Sequence, residues 1–223
     1  MGGVAHGIPA DAAEIEQGRG LDRVIAFSDG VFAIAITLLV LNFKLPEVSG
    51  PDLDQQLFDA IADDWGLWFS FALSFAIIAR FWVVHHRLSM LLRKIDTTFL
   101  VLNLVLLAFV VVLPYPTEIL GEYGNQTAVA IYAAAMALTG LASAFVWEHA
   151  RRGGLMDPRL DPAWVRHSTM RGFMIPVVFG VSIPLVLLGT EYAQVFWLSL
   201  FFLGMAFRHR YGDIHHPFGT VDD

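Results

Sequence analysis

Arg23-Val-Ile-Ala-Phe27-Ser28-Asp29-Gly30 runs without a break into Val31-Phe-Ala-Ile34-Ala-Ile-Thr37-Leu38-Leu-Val-Leu41. A hydroxyl and a carboxylate thus lead into an apolar run of helical character. Counted strictly, the uncharged run from Gly30 to Phe43 is too short to cross a bilayer. Started at Val24 and carried to Leu45, with Ser28 and Asp29 inside, it reaches roughly 33 Å at 1.5 Å per residue, enough to span. Ionisable groups at that depth are costly, so they face a bundle interior, a partner or a water-filled path.

The rest of the chain agrees with a membrane setting. It is 56% hydrophobic and only 16% charged, with mean hydropathy +0.59, far from the balance of a soluble domain. Further uncharged runs occur at Trp65–Val84 (broken by Arg80), Thr97–Thr117, Thr127–Trp147, Gly172–Thr190 and Tyr192–Phe207. The expected fold is all-α and polytopic, with six transmembrane helices per chain. Residues 1 to 20 read as a polar N-terminal tail without signal-peptide character, 21 to 210 as the membrane domain, and 211 to 223 as a C-terminal tail.

Orientation follows from Lys and Arg. With the N-terminus inside, twelve of the fourteen lie on or beside the cytoplasmic face; only Lys44 is outside, and Arg80 lies within a span. The loop from Pro46 to Asp64 is acidic instead. Both termini are therefore expected in the cytoplasm, with the chain in the cell's inner (plasma) membrane. The net charge of −7 argues against a nucleic-acid partner. The absence of cysteine removes disulfides and thiol-based metal or redox sites.

On the first helix, Phe27, Val31, Ile34, Leu38, Leu41 and Leu45 form one stripe, with Thr37 a position beside it. Such a stripe packs on lipid or a neighbouring helix, or it lines a pore. A pore needs several copies around an axis, because one helix cannot enclose it. Rings of apolar side chains then gate by dewetting. Ser28 and Asp29 read either as a helix N-cap or as a buried polar site. Arg23 lies six residues before Asp29, poorly placed for a pair within one helix. Arg80 either pairs with Asp29 or snorkels to the inner interface. His85 and His86 point about 100° apart on a helix and make a poor chelate, so no metal site is expected. A histidine hydrogen-bonded to the Ser28/Asp29 region fits better. Asn103 is placed to bond across helices. Pro114 and Pro116 are expected to end the third helix, and Pro176 and Pro184 to kink the fifth. Asp157-Pro158 and Asp161-Pro162 read as turns, with a short interfacial helix nearby. Ala133, Ala134, Ala137, Gly140 and Ala144 suggest close packing of the fourth helix.

At Arg23-x-x-x-Phe27-Ser28-Asp29 and Ala33-Ile34-x-x-Thr37-Leu38-x-x-Leu41, the chain resembles the transmembrane protein 175 family, the lysosomal-type potassium channels, in its bacterial branch. Trp82, His86, Asn103 and Pro114 also match its pattern. The resemblance implies a homotetramer whose first helices line a central pore and prefer potassium over sodium without a selectivity-filter loop. It places Ile34 at the main hydrophobic constriction, Leu38 and Leu41 at the adjoining apolar layers, and Thr37 at a polar layer. Arg23, Phe27, Ser28 and Asp29 become the signature that holds the pore helix. Trp82 and His86 become its partners, with Arg80 and Asn103 in the supporting set. The expected function is a potassium-permeable cation channel with no cofactor beyond the permeant ion. Its partners are the lipid bilayer, monovalent cations and other copies of itself. A proton channel or proton-coupled transporter using Asp29, His86 and Arg80 is the alternative. A non-conducting membrane scaffold is a third reading. No Walker loop, Gly-x-Ser-x-Gly or His-Glu-x-x-His is present, so an enzyme is not expected.

Overall fold

Long apolar runs satisfy their backbone internally, and helices do so within a single segment. The computed structural model, which describes residues 10–44 and 46–200 with side chains from residue 18 onward, is mainly helical along the described part of each such run. Helix α1 spans Ala10–Leu38 and tightens into a 3-10 turn over Leu39–Asn42. It is followed by α2 (Leu53–Asp63), α3 (Trp65–Ser89), α4 (Thr97–Val112) and α5 (Pro114–Tyr123). Then come α6 (Gln126–Arg152), α7 (Pro162–Gly172), α8 (Met174–Leu185) and α9 (Thr190–Trp197).

Among the described residues, five stretches are long and apolar enough to cross a bilayer: Gly18–Asn42, Trp65–Ser89, Thr97–Tyr123, Gln126–Arg152 and Pro162–Leu185. The sixth expected span, Tyr192 to Phe207, begins within α9. Its second half lies outside the described residues, as do Arg208, Arg210 and the tail from 211 to 223.

Three local details refine or change the expectations. α1 starts at Ala10, so Ser28 and Asp29 sit well inside the helix and are not its N-cap. The third helix does end before Pro114, since α4 stops at Val112, but the membrane span runs on past it. Pro114 has no N–H, and Leu113 N instead bonds Val110 O at 3.2 Å in a tight turn. The helix then restarts with Pro114 in its first turn, where a missing N–H costs nothing, and runs on to Tyr123. In the fifth span the break falls at Phe173, just before Pro176, while Pro184 is accommodated inside α8.

Helix α6 is the hub, with its most extensive contacts to α4 and α8. Small residues make this possible. Ala133, Ala137, Gly140 and Ala144 are buried, and a Cβ on Gly140 would lie 2.7 Å from Pro176 Cδ. α3 and α5 cross just as closely: a Cβ on Gly66 would stand 2.7 Å from Gly121 O. The core between these contacts is apolar, with Phe32, Leu39, Ile78, Leu106, Val110, Met136 and Phe179 almost fully enclosed.

The two ends of the bundle differ. At the basic end, Asp96 caps α4 by accepting from Phe99 N at 2.7 Å. That bond, with His149 Nε2 3.0 Å from its carboxylate, holds Asp96 below the ordinary aspartate range. A short helix, α7, follows the Asp-Pro turns, and Asp161 caps it by accepting from Ala163 N. The α3–α4 and α6–α7 loops are tied together. Leu92 and Met156 form an antiparallel bridge. Arg93 N donates to Leu155 O, and Asp157 N donates to Leu91 O, both at 2.9 Å. Arg159 binds the Asp157 carboxylate through Nη2 at 2.7 Å and Nε at 3.0 Å, which keeps that acid far below its usual range. At the opposite end stand Lys44, Glu122 and the acidic helix α2.

Candidate functional site

α1 has two faces set by spacings of three and four. Ser28, Phe32, Ala35 and Leu39 point inward against α3 and α4 and are buried to within 1%. The opposite row is open. Phe27 is 56% exposed, Ile34 60% and Leu41 71%, with Gly30 and Thr37 between them. The exposed row therefore runs through Thr37. Val31 and Leu38, which the sequence stripe includes, turn toward its edge and are half-buried.

Both hydroxyls of α1 bond within the helix. Thr37 Oγ1 donates to Ile34 O, and Ser28 Oγ donates to Val24 O, each at 2.8 Å. This back-bonding lets a hydroxyl sit among apolar neighbours. It also spends the single proton, so the Thr37 oxygen presents only acceptor lone pairs on the exposed row.

Inside, Asn103 of α4 donates through Nδ2 to Ser28 Oγ at 3.0 Å, a bond across helices between two buried side chains. Asn103 Oδ1 has no partner among the described residues. At the neighbouring position, Trp82 Nε1 of α3 donates to Asp29 Oδ1 at 2.9 Å. The Trp82 ring stacks on His86, centroids 5.4 Å apart and planes 25° apart. Asp29's partner is thus the indole, not Arg80 and not a histidine. His86 reaches the acid only through the stack. His85 packs 5.6 Å from the Phe32 ring.

Arg80, half-buried within the second span, makes no ion pair among the described residues. It does not pair with Asp29, whose carboxylate is held by Trp82 instead. Arg23 is exposed on the basic side of the exposed row. Among the described residues no cluster of three metal-ligating side chains occurs.

One buried polar network is only faintly marked in the sequence. Tyr132 OH of α6 lies 3.0 Å from Ser74 Oγ of α3. Ser74 Oγ lies 2.8 Å from Thr117 Oγ1 of α5, and that hydroxyl is 2.8 Å from Leu113 O. Thr117 Oγ1 is the donor toward both Ser74 Oγ and Leu113 O, so its one proton is shared between them. The network's only sequence cue is three isolated hydroxyls in apolar runs. Trp197 Nε1 donating to Ser182 Oγ at 2.9 Å is a second bond of this kind.

The family model described as "Endosomal/lysosomal potassium channel TMEM175" matches residues 23–114, from the signature on α1 to the restart at Pro114. A potassium channel of Streptomyces collinus is 38% identical over 178 residues, 74% of this chain and 85% of the relative. The crystal structure of a lysosomal potassium-selective channel TMEM175 homolog from Chamaesiphon minutus superposes with a TM-score of 0.70 at 30% identity. That match covers 86% of this chain and 98% of the other. The endosomal/lysosomal proton channel TMEM175 of Rattus norvegicus is 33% identical over 127 residues, which is 55% of this chain but 26% of the relative. On these likenesses and on the α1 geometry, the chain is a multi-pass membrane protein that belongs to the TMEM175 family.

Proposed function

We propose that the chain is a potassium-permeable cation channel of the plasma membrane. Four copies place the exposed row of α1 around a common axis, and both termini lie in the cytoplasm. The observation that carries this reading is the composition of that row. Ile34 and Leu41 are apolar and open, and the Thr37 oxygen between them has lone pairs but no free proton. In a closed ring, Ile34 forms a narrow dry constriction that passes an ion only as it sheds water. The Thr37 oxygens replace part of the lost hydration of a cation and offer nothing to an anion. Leu38 borders the ring from the side. Ser28 and Asp29 hold the helix through Asn103 and Trp82, Phe27 stands on the exposed row toward the inner end, and Arg23 sits at the inner mouth. Potassium is cargo here, and no cofactor takes part. The likeness to bacterial proteins named as potassium channels supports the assignment.

The test is a bilayer recording of the purified protein under opposed potassium and sodium gradients at equal pH. The expected result is a reversal potential displaced toward the potassium equilibrium value. Reversal at zero refutes selectivity, and silence refutes the channel.

A proton pathway is the second reading, supported by the mammalian relative's name and by the Asp29–Trp82–His86 arrangement, in which His86 Nδ1 has no partner among the described residues. It requires currents that follow a proton gradient and collapse in Asp29→Asn.

A further inference from the structure

At the acidic end, a crevice of about 270 Å³ opens between the end of the 3-10 turn, α2 and the start of α3. Its walls are apolar: Val40 and Phe43 from the α1 side, Ile61 from α2, and Trp68 and Phe71 from α3. Two groups of opposite charge, Lys44 and Asp64, line the same crevice. Lys44 meets Glu122 at 3.7 Å, but both are exposed, and such a pair holds an ammonium only weakly.

The surroundings place this crevice at the membrane boundary. α2 buries no residue in the chain. Leu53, Leu57 and Ile61 share one exposed face, while Gln55, Asp59 and Asp63 share the other. Such a two-sided helix suits an interface between hydrocarbon and water. It leads through Asp64 into a membrane span whose first residues include the exposed Trp65 and Trp68, rings that favour the headgroup level. An apolar crevice opening at that height is continuous with the bilayer itself.

We propose that the crevice is a phospholipid site in the leaflet on the acidic side, the outer one in the orientation above. One acyl chain lies against Phe43, Ile61 and Trp68. The headgroup is zwitterionic with an ammonium, its phosphate on Lys44 and its ammonium on Asp64. Apolar walls alone accept any chain; the two opposite charges select phosphoethanolamine over an anionic glycerol headgroup, which Asp64 and the acidic face of α2 repel. The site adjoins Val40, one residue from Leu41 of the exposed row, so a bound chain braces the outer end of α1. This inference stands apart from what the protein conducts.

The chain has no cysteine, so Ile61→Cys carries a single nitroxide label. The full-length protein is reconstituted in vesicles of phosphatidylethanolamine with phosphatidylglycerol as the minor lipid. Power saturation then compares collision with oxygen and with a water-soluble nickel chelate. A lipid-filled crevice gives frequent oxygen and rare nickel collisions. Dominant nickel collisions mean water, and low rates for both mean a second copy covers the crevice; either result overturns the proposal. A second measurement needs no label: native mass spectrometry of the unlabelled protein, with phosphatidylethanolamine and phosphatidylglycerol offered in equal amounts. Phosphatidylethanolamine is expected to be retained preferentially. Lys44→Glu should cut that retention about threefold, the scale of one exposed charge contact. Equal retention of the two lipids, or none lost in Lys44→Glu, overturns the headgroup assignment.

Discussion

Ser28 and Asn103 offer a test in which two substitutions at one hydrogen bond have unequal costs. The bond itself is modest, since hydrogen bonds between membrane helices average about 0.6 kcal/mol. The asymmetry lies in what each change leaves behind. Asn103→Leu removes the amide but leaves Ser28 Oγ still donating to Val24 O, so every remaining buried group is satisfied. Its cost should stay below about 1 kcal/mol, because removing a polar group while keeping its volume is nearly neutral. Ser28→Ala instead takes from Asn103 its one side-chain partner, in a residue 2% exposed whose Oδ1 already has none. An orphaned buried amide costs about 1–3 kcal/mol. For a chain of this size, about 2 kcal/mol lowers the melting temperature by roughly 4–8 °C. The double variant should fall nearer Asn103→Leu than the sum of the two, because the orphan is gone. The assay is thermal loss of the monodisperse peak in detergent, at one heating rate for all four proteins. Equal losses for the two single variants, or strict additivity in the double, refute the reasoning.

Four further outcomes are expected. Trp82→Phe keeps the stack on His86 but removes the indole donor to Asp29, at a cost of about 1 kcal/mol for a charge-assisted bond in a half-open site; Asp29→Asn in that background should add little, and a large additional loss of melting temperature argues for another partner. Gly121→Ala puts a Cβ 2.6 Å from Ser70 Oγ and 3.0 Å from Leu67 Cα, so α3 and α5 must part at a cost of about 1–3 kcal/mol, whereas Gly20→Ala meets nothing within 4 Å and should gain about 0.5–1 kcal/mol, both read by melting temperature. Asp157 has a depressed folded pKa, so its contribution is present above the unfolded value near pH 4 and is lost as pH falls through the lower folded one; acid melts should show this loss in the natural protein and a flatter profile in Asp157→Asn. Ile34→Asn should wet the constriction, raising unitary conductance and lowering potassium preference in bilayer recordings, and unchanged currents remove Ile34 from the pore.

What the sequence makes legible follows from the range of the forces involved. The spans are set by hydrocarbon thickness and show as long uncharged runs. The Asp161-Pro162 start of α7 is a local hydrogen-bonding matter, and the Ala133-to-Ala144 face is a matter of side-chain size. The start of α1 is misread because hydropathy marks where a helix enters lipid, not where it begins. The Ala-rich, Glu-containing segment from residue 10 propagates the helix well before any apolar run. Pro114 is legible as the end of one helix, but a proline also suits the first turn of the next, so the span runs on to Tyr123. The Trp82–Asp29 bond depends on the relative rotation of α1 and α3, which no local pattern records. Arg80 fits either of its two readings in sequence, and its absence from the Asp29 carboxylate shows only once Trp82 is seen to hold that acid.

The clasp between the loops at residues 91–93 and 155–157 has a consequence for exchange with water. It lies beyond the ends of α3 and α6, where loop amides ordinarily trade their hydrogens quickly. Yet the amides of Arg93 and Asp157 are held by carbonyls of the opposite loop, and the Asp157 carboxylate is itself fixed by the Arg159 guanidinium. Deuterium uptake there should be slow, and it should rise only when α3 and α6 separate at their basic ends. These two amides are thus built-in reporters: their exchange rate records how often the bundle opens on that side.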